Sequence, residues 1–571
     1  MSGRRSVTLL LVLVIAAVGV WWVYQAMQAR TPVAKVAHQV KTLVQRKSVH
    51  LPGTSSQEAS QTWGLVRLFY QRRGLKPAWT DGRGPLDVSG QLVQAIEQSG
   101  RSGLSPADYD PQGLAKDIDK LKNVPVTEPP PAGDLAALDV RATYTYLRMA
   151  NHLVNGHVPP RSLDPDWRTT PRAANLAGNL ESAIRGTHIQ AGLDELSPKD
   201  PAYARLEQAW DAYAKIAQAG GWPSIPGGRP MRPGESGARV TALVQRLSMT
   251  RDLQGAAPAV YDASVGEAVR HYQARSGLSV TGIVDAATLA SLNVPAGSRL
   301  RQIQLNLERW HWLPQDLGNR YILVNIPDYR LQVIDGGRPI MSMAVVVGKR
   351  MSPTPMFSDH AVAVEVNPYW NVPVSISRAE IAPKAAQDPG YLERSHMHVL
   401  SKPGQDGQEV EASTVDWTDT SGDVSYALRQ DPGPDNPLGR IKIALPNEYD
   451  VYLHDTPAGQ LFSAKDRDFS HGCIRVEKPL DLAAYLLQGS SEGTPDHLQE
   501  LIASGQNHWI KIPNPIPVHI LYWTAWVDGD GTVQFRDDVY GHDQRLDQAL
   551  RSGVVSQFEV NPQPQQEPAG P

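Results

Sequence analysis

A chain of 571 residues is too long for one core and implies about three or four domains. It is 41% hydrophobic and 20% charged with a net charge of −4, which excludes a disordered chain and lacks the basic excess of a nucleic-acid binder. One cysteine, Cys473, excludes an intrachain disulfide.

Arg4 and Arg5 precede an uncharged apolar run, residues 7–24, long enough to cross a bilayer. Trp21, Trp22 and Tyr24 stand at its outer end, where interfacial aromatics are favoured. Positive charge before the run keeps the N-terminus in the cytoplasm and exports the rest of the chain. Residues 1–30 are therefore expected to be an uncleaved transmembrane helix; a cleaved signal peptide, suited by Ala26 and Ala29, is the alternative. Residues 31–55 show no sustained periodicity and read as a tether.

Residues 56–228 read as a helical scaffold. Leu65, Leu68 and Phe69 share a helix face, Leu92 and Ile96 share another over 88–98, and amphipathic helices are expected over 135–153 and 200–217. Pro129, Pro130 and Pro131 form a stiff linker, and a turn-rich one runs from Ala219 to Pro230. No catalytic constellation stands out between 56 and 220. Residues 229–296 carry Val240, Leu243, Val244 and Leu247 on one helix and Val265, Val269 and Tyr272 on a second. A Thr281–Asp285 turn then leads to a third helix with Thr288, Leu289 and Leu292. With Gln245 and Gln273 in place, the pattern resembles the three-helix peptidoglycan-binding domain of the first type. Residues 297–318 form a connecting amphipathic helix with Arg309-Trp310-His311-Trp312 near its end; these tryptophans suit domain packing or a glycan.

From residue 319 the texture becomes β-rich. Residues 321–326 alternate, and 330–334 and 340–347 flank a Gly336-Gly337 turn as a hairpin. Further strands fit 361–366, 440–445 and 450–454, with a helical stretch over 378–384. The polar segment 388–436 is long enough to be a lid inserted in a domain spanning 319–513. C-terminal strands and a helix are expected over 514–550 and a Pro/Gln-rich tail over 551–571.

The expected chemistry centres on Cys473. A thiol is a strong nucleophile as the thiolate and needs an imidazole in reach and a group to orient it. His454, at the end of a strand nineteen residues upstream, is the candidate base. Gly472 admits close backbone approach, so the N–H groups of Gly472 and Cys473 are candidate oxyanion donors. Arg475 suits a substrate carboxylate. Taken singly, His454 equally suits a packed strand-end residue, and His471 a loop-fixing one. Zinc would need three or four clustered ligands, which one cysteine and scattered histidines do not supply, so no metal and no cofactor are expected. A papain-like site lacks its local cysteine signature here, and the base precedes the nucleophile.

The run Ser470-His471-Gly472-Cys473 with His454 upstream resembles the L,D-transpeptidases, whose catalytic fold is the YkuD type. Val347-Gly348, Thr354-Pro355, Trp370 to Pro373, Leu453 to Pro457, Leu461-Phe462 and Tyr522 to Arg536 resemble the large multidomain, YcbB-like branch. The resemblance implies a multidomain α+β protein: transmembrane helix, helical scaffold, peptidoglycan-binding domain and β-rich catalytic domain. It puts the nucleophile at Cys473 and the base at His454. Tyr452, Ser470, His471 and Gly472 fall on supporting positions, and Arg475 and Trp370 on substrate-binding ones. It implies that Cys473 attacks the carbonyl of the third residue of a tetrapeptide stem, releases D-Ala and forms a thioester. An amine of a second stem resolves it as a 3→3 cross-link. Water instead gives an L,D-carboxypeptidase or wall hydrolase. Anchoring of lipoproteins to the wall is a further option, and a non-catalytic wall-binding protein is the remaining alternative. Such cysteines are carbapenem targets. Stem peptides are the implied partners, with the membrane and cell-wall synthesis proteins beside them and no nucleic acid. The implied place is a single pass of the inner membrane with the catalytic part in the periplasm, or the periplasm after signal cleavage.

Overall fold

The computed structural model describes residues 31–552, apart from 46–55, 126–127, 166, 168–171, 256, 403–406 and 419–425. The expected membrane span at 7–24 and the tail beyond Ser552 lie outside the described residues. Among the described residues no helix is long and apolar enough to cross a membrane.

The expected tether is in part a helix, Pro32–Val44. Thr31 caps it, Pro32 opens it, and Val36, Val40 and Val44, four residues apart, bury one stripe. That stripe joins the scaffold core built around the long helix Ala132–Asn155. Asp139, buried on that helix, accepts from Tyr70 Oη at 2.6 Å and from the Ala78 and Trp79 amides at 2.9 and 2.8 Å. It thereby fixes the turn after the helix Ser56–Arg72. The helix Pro201–Gln218 departs from the expected domain division. Its Tyr203, Leu206, Ala209 and Tyr213 belong to the core of the β-rich domain, not to the scaffold core.

Three helices, Ala238–Met249, Ala263–Arg275 and Ala286–Leu292, form a separate small core with Val240, Leu243, Leu247, Val265, Val269, Tyr272 and Leu292. Polar pairs dock this unit on the β-rich domain. Within the unit, buried Arg275 holds Asp252 through Nε and Nη2, each at 2.5 Å; across the joint, the Arg275 carbonyl accepts from Arg536 Nη1 at 3.0 Å. Arg536 also pairs with Asp328 at 2.7 Å. Gly277 lies in the left-handed region (φ 65°) against Arg536. The connecting helix Ala296–His311 is buried between domains. Trp310 stacks on Trp523 with centroids 4.7 Å apart, and Trp312 meets the edge of Trp167 at 5.4 Å. Both tryptophans are thus packing anchors.

The β-rich domain is one sheet of nine strands, joined in the order β10-β3-β11-β9-β8-β4-β12-β1-β2. The strands are β1 (Arg320–Asn325), β2 (Arg330–Asp335), β3 (Arg338–Gly348), β4 (Phe357–Val366), β8 (Ile441–Ala444), β9 (Leu453–His454), β10 (Asp468–Ser470), β11 (Ile474–Val476) and β12 (His508–Leu521). β2 also pairs with β3, so eight strands close on themselves and β10 hangs on β3. Alternation sends Val364, Ile443, Leu453, Ile474 and Ile510 into the core, together with the helix Pro479–Leu486. The expected boundary at 513/514 cuts β12, which lies inside the sheet between β4 and β1, so the segment after 513 completes this domain. The hairpin β13 (Ala525–Val527) and β14 (Val533–Phe535) comes next.

The lid is larger than expected and has its own core. β5 (Trp370–Val372), β6 (Met397–Leu400) and β7 (Ala427–Gln430) make a three-stranded sheet ordered β5-β7-β6. It packs with Ile381, Ala385, Leu392 and Leu438 as a cap. The expected helix at 378–384 is a π-helical turn, Ser377–Ile381, running into Ala382–Gln387.

Candidate active site

Sheet register assembles the site. β9 and β11 pair in parallel, Leu453 opposite Ile474 and His454 opposite Arg475. Leu453 and Ile474 face the core, so His454 and Arg475 face the other way. On the far side of β9, Lys442 of β8 lies opposite His454. The imidazole therefore sits in a cross-strand row between two cations. Cys473 immediately precedes β11, and Tyr452 immediately precedes β9; the Tyr452 carbonyl accepts from the Ile474 amide at 3.1 Å.

His454 is 4% exposed. Its Nδ1 lies 2.6 Å from the Asp455 carbonyl oxygen, which can only accept, so Nδ1 carries the proton and Nε2 keeps its lone pair. The orienting third group is thus a backbone carbonyl. The Asp455 side chain holds the turn in shape by accepting from the Arg440 and Thr456 amides at 2.8 and 2.7 Å. Burial, helped by Arg475 and Lys442, pushes the imidazole pKa down to about 3.

Cys473 is partly exposed. Its thiol donates to the Asp450 carbonyl at 3.6 Å and not to His454. Burial raises the thiol pKa, opposed by Tyr452 and Lys442. The Tyr452 phenol lies against the sulfur and is itself raised, first by burial and then by Cys473. Its ring meets the His454 ring edge-on at 5.6 Å, and the Lys442 ammonium sits 4.7 Å from the Tyr452 centroid.

The turn before Cys473 is tightly bonded. Ser470 Oγ donates to the Cys473 carbonyl at 2.6 Å and accepts from the Gly472 amide at 3.1 Å. The Gly472 N–H, expected to be an oxyanion donor, is therefore already used. Among the described residues the Cys473 N–H has no hydrogen-bond partner. Gly472 has φ 123°, a conformation that suits glycine. Thr354, not singled out as a site residue from sequence, accepts from Gly348 N at 2.9 Å and donates to the Gly472 carbonyl at 2.8 Å. Tyr540 Oη in turn bonds the Gly348 carbonyl. His471 points to the cap, its Nε2 2.8 Å from Glu380 and 3.2 Å from Lys349 Nζ. It ties the turn to the cap. Trp370, 8% exposed, is part of the cap core against which Tyr452 packs. Arg475 is half-buried, and its Nε has no partner among the described residues. No metal-binding cluster occurs among the described residues.

A family model described as "L,D-transpeptidase catalytic domain" (YkuD) matches residues 319–497. A "Putative peptidoglycan binding domain" model matches 236–292 and a "Scaffold domain" model 64–209. A Haemophilus influenzae protein described as a "Putative L,D-transpeptidase" is 33% identical over 249 residues, covering 44% of this chain and 49% of that protein. The match spans about half the length of that relative. Among solved structures, an L,D-transpeptidase (residues 123–326) from Xylanimonas cellulosilytica is 15% identical, with 52% of this chain and 99% of that chain covered at a TM-score of 0.16. An L,D-transpeptidase from Mycobacterium smegmatis is 14% identical, with 36% and 58% covered at a TM-score of 0.17. Superpositions at these scores place no element of this chain. On the family models, the chain carries a YkuD-type L,D-transpeptidase catalytic domain joined to a scaffold domain and a peptidoglycan-binding domain.

Proposed function

We propose that the protein is a cysteine L,D-transpeptidase that forms 3→3 cross-links between tetrapeptide stems of peptidoglycan. The observation that carries this reading is the tautomer of His454. With Nδ1 committed to the Asp455 carbonyl, Nε2 is an acceptor on the same sheet face as Cys473. In the first half-reaction the thiol leaves the Asp450 carbonyl by a side-chain rotation and gives its proton to Nε2. Sulfur bonds the carbonyl carbon of the third stem residue, and the Cys473 N–H meets the oxyanion. The C–N bond to D-Ala breaks, the imidazolium protonates the leaving amine, and a thioester remains. In the second, the side-chain amine of an acceptor stem attacks the thioester. It gives its proton to Nε2, and the thiol is restored as the new amide forms. Arg475, with an unpartnered Nε, suits a stem carboxylate. Trp370, in the cap core against which Tyr452 packs, lies beside the route a stem peptide would take to Cys473. The enzyme would work in the periplasm, held to the inner membrane by residues 7–24 or released by cleavage, and would be acylated by carbapenems at Cys473.

The test is mass spectrometry of the full-length protein in detergent with disaccharide-tetrapeptide. Cross-linked dimer lacking D-Ala is expected from the wild type, and neither dimer nor tripeptide from Cys473→Ala. Products from Cys473→Ala would remove the thiol from the mechanism; tripeptide alone from the wild type would make the enzyme a carboxypeptidase. His454→Ala should slow acylation by about 10²- to 10⁴-fold.

A further inference from the structure

The row through the catalytic histidine continues across the sheet. Lys442 pairs with Glu365 of β4, and Glu365 with Trp509 of β12. Directly opposed residues share a face, so Arg475, His454, Lys442, Glu365 and Trp509 form one line on the side away from the core. The inner members are satisfied. Lys442 Nζ is 3.1 Å from Glu365 Oε2, and Asn507 Nδ2 donates to Glu365 Oε1 at 2.9 Å. Trp509 ends the line, 50% exposed, with the Lys442 ammonium 5.5 Å from its centroid. The indole is held by a cation on a strand of the closed sheet and keeps half of its surface open to a ligand, on the same line as His454.

We propose that Trp509 is a stacking platform for a sugar ring of the glycan that carries the donor stem. The inference rests on the transpeptidase reading and adds to it a saccharide subsite. Distance supports it. Three strand spacings separate Trp509 from His454, about 14 Å. From the carbonyl attacked by Cys473 back to the start of the stem, three extended residues span about 10 Å, and the lactyl link to the sugar adds the remainder. The surface between suits a peptide. The neighbouring row on the same face carries Ala444 and Ala363, paired with each other, and then Lys511, paired with Ala363 and exposed. Two methyl groups make a low floor, and Lys511 supplies positive charge for a stem carboxylate. A sugar ring brings its C–H face to the indole and its hydroxyls to water, the pairing a half-exposed tryptophan favours.

The test compares two ligands, disaccharide-tetrapeptide and the free tetrapeptide, on full-length protein in detergent carrying Cys473→Ala, so that binding is read without turnover. Calorimetry should show tighter binding of the disaccharide form, and Trp509→Ala should cut that preference about five- to tenfold. Trp509→Tyr should keep part of it. Equal weakening of both ligands by Trp509→Ala, an undiminished preference, no preference in the parent, or no binding of either ligand would overturn the proposal. Failure of the transpeptidase reading shows separately, as absence of cross-linked product from the wild type while the binding preference stands.

Discussion

Acidification from pH 8 to pH 5 should leave the acylation rate of Cys473 almost unchanged. An imidazole with the ordinary pKa near 6.5 is only about 3% unprotonated at pH 5, so a reaction depending on it would slow about 30-fold over this range. His454 is different, because burial first and then the facing Arg475 and Lys442 push its pKa down to about 3. At that value the base form stays near unity at pH 5, and the expected change is under about twofold. The remaining groups around the imidazole do not reverse this. Tyr452 and Cys473 are both raised and stay neutral, and Glu365 is paired to Lys442. The assay is the rate of carbapenem adduct formation by intact mass on full-length protein, with circular dichroism at each pH to show that the fold persists. A 30-fold fall with an inflection near 6.5 would refute the buried neutral base. A tenfold rise per pH unit throughout would instead mean that free thiolate reacts unaided. Lys442→Met removes one facing cation, so its acid limb should lie at higher pH than that of the wild type.

Two further outcomes concern stability. Arg275→Met leaves the buried Asp252 carboxylate, held at about 2 against burial chiefly by Arg275, with His271 and Thr250 as its remaining side-chain hydrogen-bond partners among the described residues. The cost should be about 3–5 kcal/mol, read as a lower Tm and faster proteolysis between the peptidoglycan-binding unit and the β-rich domain; an unchanged Tm would contradict the pairing. His157 and His311 are buried with pKa values pushed down to about 3, mainly by burial. Unfolding lets them take up protons below about 6.5, so stability is full above that pH and falls as pH drops toward 3, by up to about 1.4 kcal/mol per pH unit for each. His311→Gln should flatten the fall in Tm between pH 7.5 and 5.0, and an equally steep fall would assign the acid sensitivity elsewhere.

The parts visible in the sequence are those with local causes. Periodic helices such as Ala132–Asn155, the hairpin β2–β3 and the turn at Ser470 to Cys473 each depend on neighbours in the chain. The helix Pro32–Val44 is obscured because its buried stripe is only three valines, blurred by Val33, Ala34, Ala37 and Leu43 on other faces, and it gains its partner from the scaffold core. A domain boundary at 513 cuts β12 because Pro513, Pro515 and Pro517 contradict a central strand. The structure accommodates them with an irregularity between Lys511 and Ile516. In the site, the turn partner Thr354 comes from more than a hundred residues away, and Lys442 meets His454 only through strand pairing. The orienting group for His454 is a peptide carbonyl, which no residue type announces.

Ring closure of the sheet has its own consequence for the thiol and the imidazole. In an open sheet an outer strand can slide by a residue at the expense of one interface. Here β9 and β11 are links in a loop of eight, so a slip between them must be repeated at another interface before the loop can shut again. The offset between Cys473 and His454 is thus set by the whole circumference, and damage far around it is felt as misalignment of two side chains.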